Sequence, residues 1–283
     1  MTSSTRADAA VLEAQGIRIR YTRDGRTPRT VLQNFSLNLQ PGEVIALLGP
    51  SGVGKSSLLR ILAGLQEADQ GTVKLKGETL RGPHPRSSFV FQDPCLLPWL
   101  NLEENVAFGL NFKHQPEISA QERTSRVQAA INEVDLHGAN SLFPSELSGG
   151  MAQRAALARS LARQPEILLL DEPFSALDEI TRGDMQTLLQ RITTNHGTSA
   201  VLVTHDIDEA LILADRVLLI ADFPGRLIQE WQITAPHPRD PLEHELSQTR
   251  LDILKLLRQY RHSAKKPQVQ SQSSTEQQDA KAA

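Results

Sequence analysis

The run Gly49-Pro50-Ser51-Gly52-Val53-Gly54-Lys55-Ser56 directly follows five apolar residues, Val44-Ile45-Ala46-Leu47-Leu48. A short apolar run bounded by Pro41-Gly42 and by Gly49 reads as a buried strand. The glycine-rich stretch after it has the form G-x-x-x-x-G-K-[ST], placed between a strand and the start of a helix, which is the context that pattern needs. The glycines let backbone N–H groups turn inward around phosphate oxygens. Lys55 reaches the β- and γ-phosphates, and the Ser56 hydroxyl is suited to Mg²⁺. Ser57 stands beside them, and the helix beginning near Lys55 aims the positive end of its dipole at the same point. The feature therefore predicts a strand–loop–helix unit that binds a nucleoside triphosphate.

The rest of the chain predicts a sheet around that unit. Gly16 to Tyr21 and Val31 to Leu39 alternate apolar and polar residues, as half-exposed strands do. Thr72–Leu75 and Ser88–Phe91 read as short strands, Ile167–Leu170 and Ala200–Thr204 as buried ones, and Val217–Ile220 as a late one. Helical periodicity dominates residues 100–165. Alternating strands and helices argue for α/β with a mainly parallel core sheet, and the helical block inside that order reads as an inserted subdomain. From Leu246 to Tyr260 a helical stripe returns. Residues 1–14 are expected to be flexible. The main domain is expected over 15–240, with its helical insert at about 93–163, and a C-terminal helix over 241–262. The Gln/Ser-rich stretch 263–283 is expected to be disordered.

Composition narrows the setting. A chain of 283 residues has room for one large domain or two small ones. A net charge of −3 and no basic patch argue against a nucleic-acid partner. A single cysteine, Cys95, precludes an internal disulfide and fits a reducing compartment. No stretch approaches the ~20 apolar residues that span a bilayer, and the first ten residues lack the apolar core of a signal peptide. The expectation is a soluble chain that reaches any membrane through a partner.

Two further motifs extend the site. Ile167-Leu168-Leu169-Leu170-Asp171-Glu172 is an apolar strand ending in two carboxylates. Ligands of open α/β sheets bind at the carboxyl ends of strands. Asp171 is therefore placed to hold Mg²⁺, and Glu172 to orient or deprotonate an attacking water. Leu147-Ser148-Gly149-Gly150-Met151 precedes an Ala/Leu/Arg-rich helix. Ser148 and the N–H groups of Gly149 and Gly150 at a helix start suit a phosphate.

With these motifs the chain resembles the ATP-binding subunits of ABC transporters, whose signature reads L-S-G-G-Q. Met151 departs at the fifth position, as it does in members of the nitrate, sulfonate and taurine uptake branch. The resemblance runs from about residue 16 to 262. It implies a P-loop NTPase fold of the ABC type: a mainly parallel core, an N-terminal antiparallel β-subdomain and the inserted helical subdomain. It implies ATP and Mg²⁺, with Ser56, Gln92 and Asp171 at the metal. By the same resemblance Tyr21 stacks on adenine, Glu172 and His205 serve hydrolysis with Gln92, and Ser175-Ala176-Leu177-Asp178 faces a partner subunit. Two sites would be shared across a head-to-tail homodimer, Ser148–Gly150 of one copy closing on the phosphate loop of the other. Hydrolysis would then wait for dimer closure.

Phe91-Gln92-Asp93-Pro94-Cys95-Leu96-Leu97-Pro98-Trp99, Phe174–Asp178 and Pro224-Gly225-Arg226 look like the same uptake branch. The apolar residues after Gln92 suit either a groove for a partner helix or ordinary core packing. The resemblance implies two membrane permease subunits, an indirect link to a periplasmic solute-binding protein, and a place on the cytoplasmic face of the inner membrane. A soluble ABC ATPase working on ribosomes or DNA is the alternative. It generally needs two nucleotide domains or a long coiled coil, and this chain shows one phosphate loop and no heptad run. Nitrate, taurine, aliphatic sulfonates and a thiamine precursor are all open as the solute.

Overall fold

Strands β3 (Val44–Leu48), β7 (Ile167–Asp171), β8 (Ser199–Thr204) and β9 (Arg216–Ala221) are almost wholly buried, which explains why their sequences do not alternate with polar residues. The computed structural model describes residues 10–22, 27–239 and 244–263. The remaining strands are β1 (Leu12–Tyr21), β2 (Arg29–Leu39), β4 (Gln70–Leu75), β5 (Glu78–Thr79), β6 (Ser87–Val90) and β10 (Arg226–Gln232). The helices are α1 (Lys55–Leu62), α2 (Leu102–Ala107), α3 (Ala120–Glu133), α4 (Gly149–Leu161), α5 (Glu179–His196), α6 (Ile207–Leu213) and α7 (His244–Ser263), with a 3-10 turn at Pro144–Glu146.

The large sheet has the order β10-β9-β3-β8-β7-β6. It is parallel except at β10, which pairs antiparallel with β9. The small sheet, β2-β1-β4-β5, is antiparallel. Alternation within the buried strands divides the interior in two. Val44, Ala46, Leu48, Leu168, Leu170, Ala200 and Leu202 point into a core shared with α2 to α7. Ile45, Leu47, Ile167, Leu169, Val201 and Val203 point the other way, into a core closed by the small sheet and α1. Each fully buried side chain of this size contributes about 1.5–3 kcal/mol. The helical insert (α2, α3, the 3-10 turn and α4) lies between β6 and β7, and its apolar face is continuous with the first core.

One expectation needs correction, and two strands are new. The N-terminal segment is ordered earlier than residue 15: β1 begins at Leu12, and Val11, Leu12 and Ala14 are buried. Leu12 pairs with both Leu39 and Leu75, so two neighbouring strands hold it. Strands β5 and β10 are absent from the sequence reading. β5 is two residues long, and β10 is a mostly exposed edge strand without regular alternation. Helix α7 is anchored by buried Leu246 and Ile253 and by a two-pronged pair in which Arg250 donates to Asp208 at 2.7 and 3.0 Å, and residues 241–243 of the helix expected over 241–262 lie outside the described residues. The tail expected after residue 262 lies outside the described residues from 264 onward.

Candidate nucleotide site

The phosphate loop leaves β3 at a position only glycine tolerates. Gly49 has φ 155°, and a Cβ there would sit 1.9 Å from the Ile220 carbonyl oxygen of β9. Gly54, with φ 99°, caps α1 in the left-handed region, again favouring glycine. Between them Pro50, Ser51, Gly52 and Val53 form the turn. The Lys55 ammonium donates to the carbonyls of Gly49 (2.7 Å) and Pro50 (2.9 Å), so it lies inside the curve of its own loop. Burial pulls its pKa below the usual lysine range, although the charges of Glu172 and Asp171 pull the other way.

Asp171 ends β7, next to the loop. The Ser56 hydroxyl donates to its carboxylate at 2.8 Å. Burial raises the Asp171 pKa, with the Ser56 hydrogen bond opposing. A hydroxyl and a carboxylate brought together are hard oxygen donors of the kind Mg²⁺ takes, with phosphate and water oxygens filling the rest of its octahedron. The residues present thus fit that ion.

Glu172 has φ 47°, an uncommon left-handed conformation for a non-glycine residue. Its N–H donates to the Val203 carbonyl at 2.9 Å, which pins the turn to β8. The turn brings its carboxylate to His205, with Nδ1 and Oε2 3.3 Å apart. Gln92 follows β6, and its amide donates to the Ser175 hydroxyl at 3.2 Å, which in turn donates to the Glu172 carbonyl at 3.0 Å. Tyr21 ends β1 with its ring exposed and its hydroxyl 2.7 Å from that of Ser57. Residues from the ends of β3, β6, β7 and β8 in the large sheet, of β1 in the small sheet and of the first turn of α1 therefore meet in one place.

The signature residues stand apart. Ser148 caps α4, accepting from the Met151 N–H at 3.3 Å. A Cβ on Gly149 would meet nothing within 4 Å, so this helix end faces open space. Gly150 packs against α5, where a Cβ would meet Thr181 Cγ2 at 2.5 Å. Asp178 caps α5, accepting from the N–H (3.1 Å) and hydroxyl (2.7 Å) of Thr181, and these bonds hold its pKa down. Among the described residues, no hydrogen bond joins Ser148, Gly149 or Gly150 to the phosphate loop. Met151 is half-buried against the core, so the departing fifth position is a packing residue.

Some supports escaped the sequence reading. Ser175, part of the loop that the resemblance turns toward a partner, bridges Gln92 to Glu172. Gly225 lies where a Cβ would stand 2.3 Å from the Val53 carbonyl, so the β9–β10 turn braces the phosphate loop. Glu209, buried and with a raised pKa, accepts from Thr204 at 2.5 Å just before His205. Only Pro224-Gly225 carried a local signal, that of a turn.

Fold and site together define an α/β phosphate-loop nucleotide-binding protein. The family model described as ABC transporter matches residues 32–175. The aliphatic sulfonates import ATP-binding protein SsuB 1 of Xanthomonas axonopodis pv. citri is 48% identical over 231 residues, 81% of this chain and 91% of that protein. SsuB of Bacillus subtilis is 41% identical over 234 residues, covering 83% and 89%. A solved dimeric ATP-binding cassette in a post-hydrolysis state, bound to ADP and Pi, superposes with a TM-score of 0.70 at 31% identity, covering 80% of this chain and all of that one. The chain belongs to the ABC transporter family. Within it, the protein is the ATP-hydrolysing subunit of an importer.

Proposed function

We propose that this subunit powers the uptake of aliphatic sulfonates, as a homodimer docked on two permease subunits at the cytoplasmic face of the membrane. The solute class rests on the names of relatives that share more than two fifths of their residues with the chain over most of its length. None of the described helices is long and apolar enough to cross a membrane, which suits a subunit that docks through partners.

The chemistry rests on the meeting of Lys55, Asp171, Glu172 and His205. Lys55 neutralises the β- and γ-phosphates of ATP, and Tyr21 covers its base. Mg²⁺, held through Ser56, Gln92 and Asp171, would supply charge neutralisation between the phosphates. Glu172 accepts the proton of the attacking water, while His205 holds that carboxylate in place and faces the γ-phosphate. One subunit leaves the γ-phosphate open on the side where Ser148–Gly150 of the other would bind. ATP then joins the two copies, and hydrolysis releases them. The exposed ring of Trp99 and the half-buried Leu97, just beyond Gln92, suit a groove for a permease helix, while Leu96 packs against the subunit's own core.

The test is growth. A strain lacking the gene is expected to lose growth on an alkanesulfonate as sole sulfur source and keep it on sulfate. The wild-type gene is expected to restore it, and Lys55→Ala is not. Unimpaired growth of the deleted strain, with loss on taurine or nitrate instead, would reassign the solute.

A further inference from the structure

The segment after Gln92 is suspended between two side chains. At its far end the buried Asn105 of α2 accepts from the Leu97 N–H (2.8 Å) and donates to the carbonyls of Leu97 (3.2 Å), Leu100 (2.8 Å) and Asn101 (3.0 Å). At its near end Arg159, in the last turn of α4, donates from one guanidinium nitrogen to the Pro94 carbonyl and from the other to the Cys95 carbonyl, both at 2.8 Å. Cys95 is itself held in the left-handed region, φ 48°, its N–H donating to Asp93 at 3.2 Å. Among the described residues Arg159 has no carboxylate partner. A planar fork spanning two successive carbonyls is a geometry that lysine cannot reproduce.

The other end of α4 is Ser148, eleven residues away, or about 16 Å along a helix rising 1.5 Å per residue. A continuous chain of contacts thus runs from Glu172 through Ser175 to Gln92, along two residues of backbone to Pro94 and Cys95, across Arg159, and down a rigid helix to Ser148 and Gly149. We propose that Arg159 is a positioning residue that locks the Gln92 segment to the signature helix, so that the γ-phosphate side of one subunit's own site and the surface it offers to its partner's nucleotide move as one piece. The inference rests on the shared-site reading and adds to it the residue that joins the two half-sites within a subunit.

The test uses the full-length subunit with Arg159→Lys, which keeps the charge and loses the fork. In steady-state ATPase, kcat is expected to fall at least tenfold with KM changed less than threefold, because the phosphate loop is untouched. Hydrogen–deuterium exchange supplies the deciding readout. In wild type, MgATP is expected to slow exchange at both 92–97 and 148–152. In Arg159→Lys the change is expected to remain at 92–97 and vanish at 148–152. A merely structural arginine would lower Tm and leave both segments responding together. A variant with wild-type kcat, or with both segments still responding to MgATP, overturns the proposal. Glu172→Gln without any ATP-dependent dimer would instead sink the shared-site reading, and the exchange measurement still decides the link within one subunit.

Discussion

Trp99 is 69% exposed, an unusual setting for the largest apolar side chain. A tryptophan offers roughly 200 Å² for burial, so docking that covers the exposed part removes about 140 Å² from water, worth about 3.5 kcal/mol at ~25 cal/mol/Å². Side-chain ordering returns part of this, leaving a loss of up to ~10²-fold in affinity for the permease when Trp99 is replaced by Ala. The part already buried in the free subunit, about 60 Å², limits the loss of intrinsic stability to ~1.5 kcal/mol. Trp99→Ala is therefore expected to lower the Tm of the isolated subunit by only a few degrees and to leave its basal ATPase unchanged. Pull-down by the permease subunits and transport in proteoliposomes should fall together. A mutant that melts far below wild type, or that assembles with the permeases at normal affinity, would refute the docking surface and return Trp99 to the packing of its own subunit.

Glu172→Gln is expected to bind ATP but hydrolyse it about 10²-fold more slowly, the scale of a lost general base; it should accumulate as a dimer in light scattering, and a monomer with normal turnover would contradict the role. Ser148→Arg is expected to be inactive alone and to regain part of the activity when mixed with Lys55→Ala, since such a heterodimer keeps one intact site; verified heterodimers without activity would argue against shared sites. Burial raises the Asp171 pKa in the folded protein, so its contribution to stability is full below the unfolded carboxylate value of about 4 and is lost as pH rises through the higher folded value. Asp171→Asn is therefore expected to raise the Tm of the nucleotide-free subunit at pH 7, with the gain shrinking toward pH 4, while Mg²⁺-dependent hydrolysis collapses; an unchanged or lowered Tm at pH 7 would contradict the buried-charge account.

What could be read from the residues alone was local. The phosphate loop, the strand ending in Asp171 and Glu172, and the helix led by Ser148 are each specified within a dozen residues, because backbone conformation, apolar periodicity and helix starts are short-range properties. The reading of residues 100–165 as a helical insert follows from the same kind of signal, whereas the role of Asp178 as the cap of α5 comes from the structure. Edge strands escaped, since β10 is half in solvent and its residues need not alternate.

The relations between distant segments were decided only by the tertiary structure. Nothing near Gln92 says that Ser175 will receive its amide, and nothing near Glu172 says that its N–H will pair with Val203. The same holds for Gly49, Gly150 and Gly225, whose need for glycine comes from backbone or side-chain atoms of Ile220, Thr181 and Val53. Whether Trp99 lies inside or outside is likewise invisible in a run of apolar residues, because burial is a property of the surface that arrives from elsewhere in the fold. Local sequence set the chemistry that each segment can offer. The packing of two cores on opposite faces of one sheet set which of those segments meet, because parallel strands align their carboxyl ends at one edge regardless of how far apart they lie in the chain.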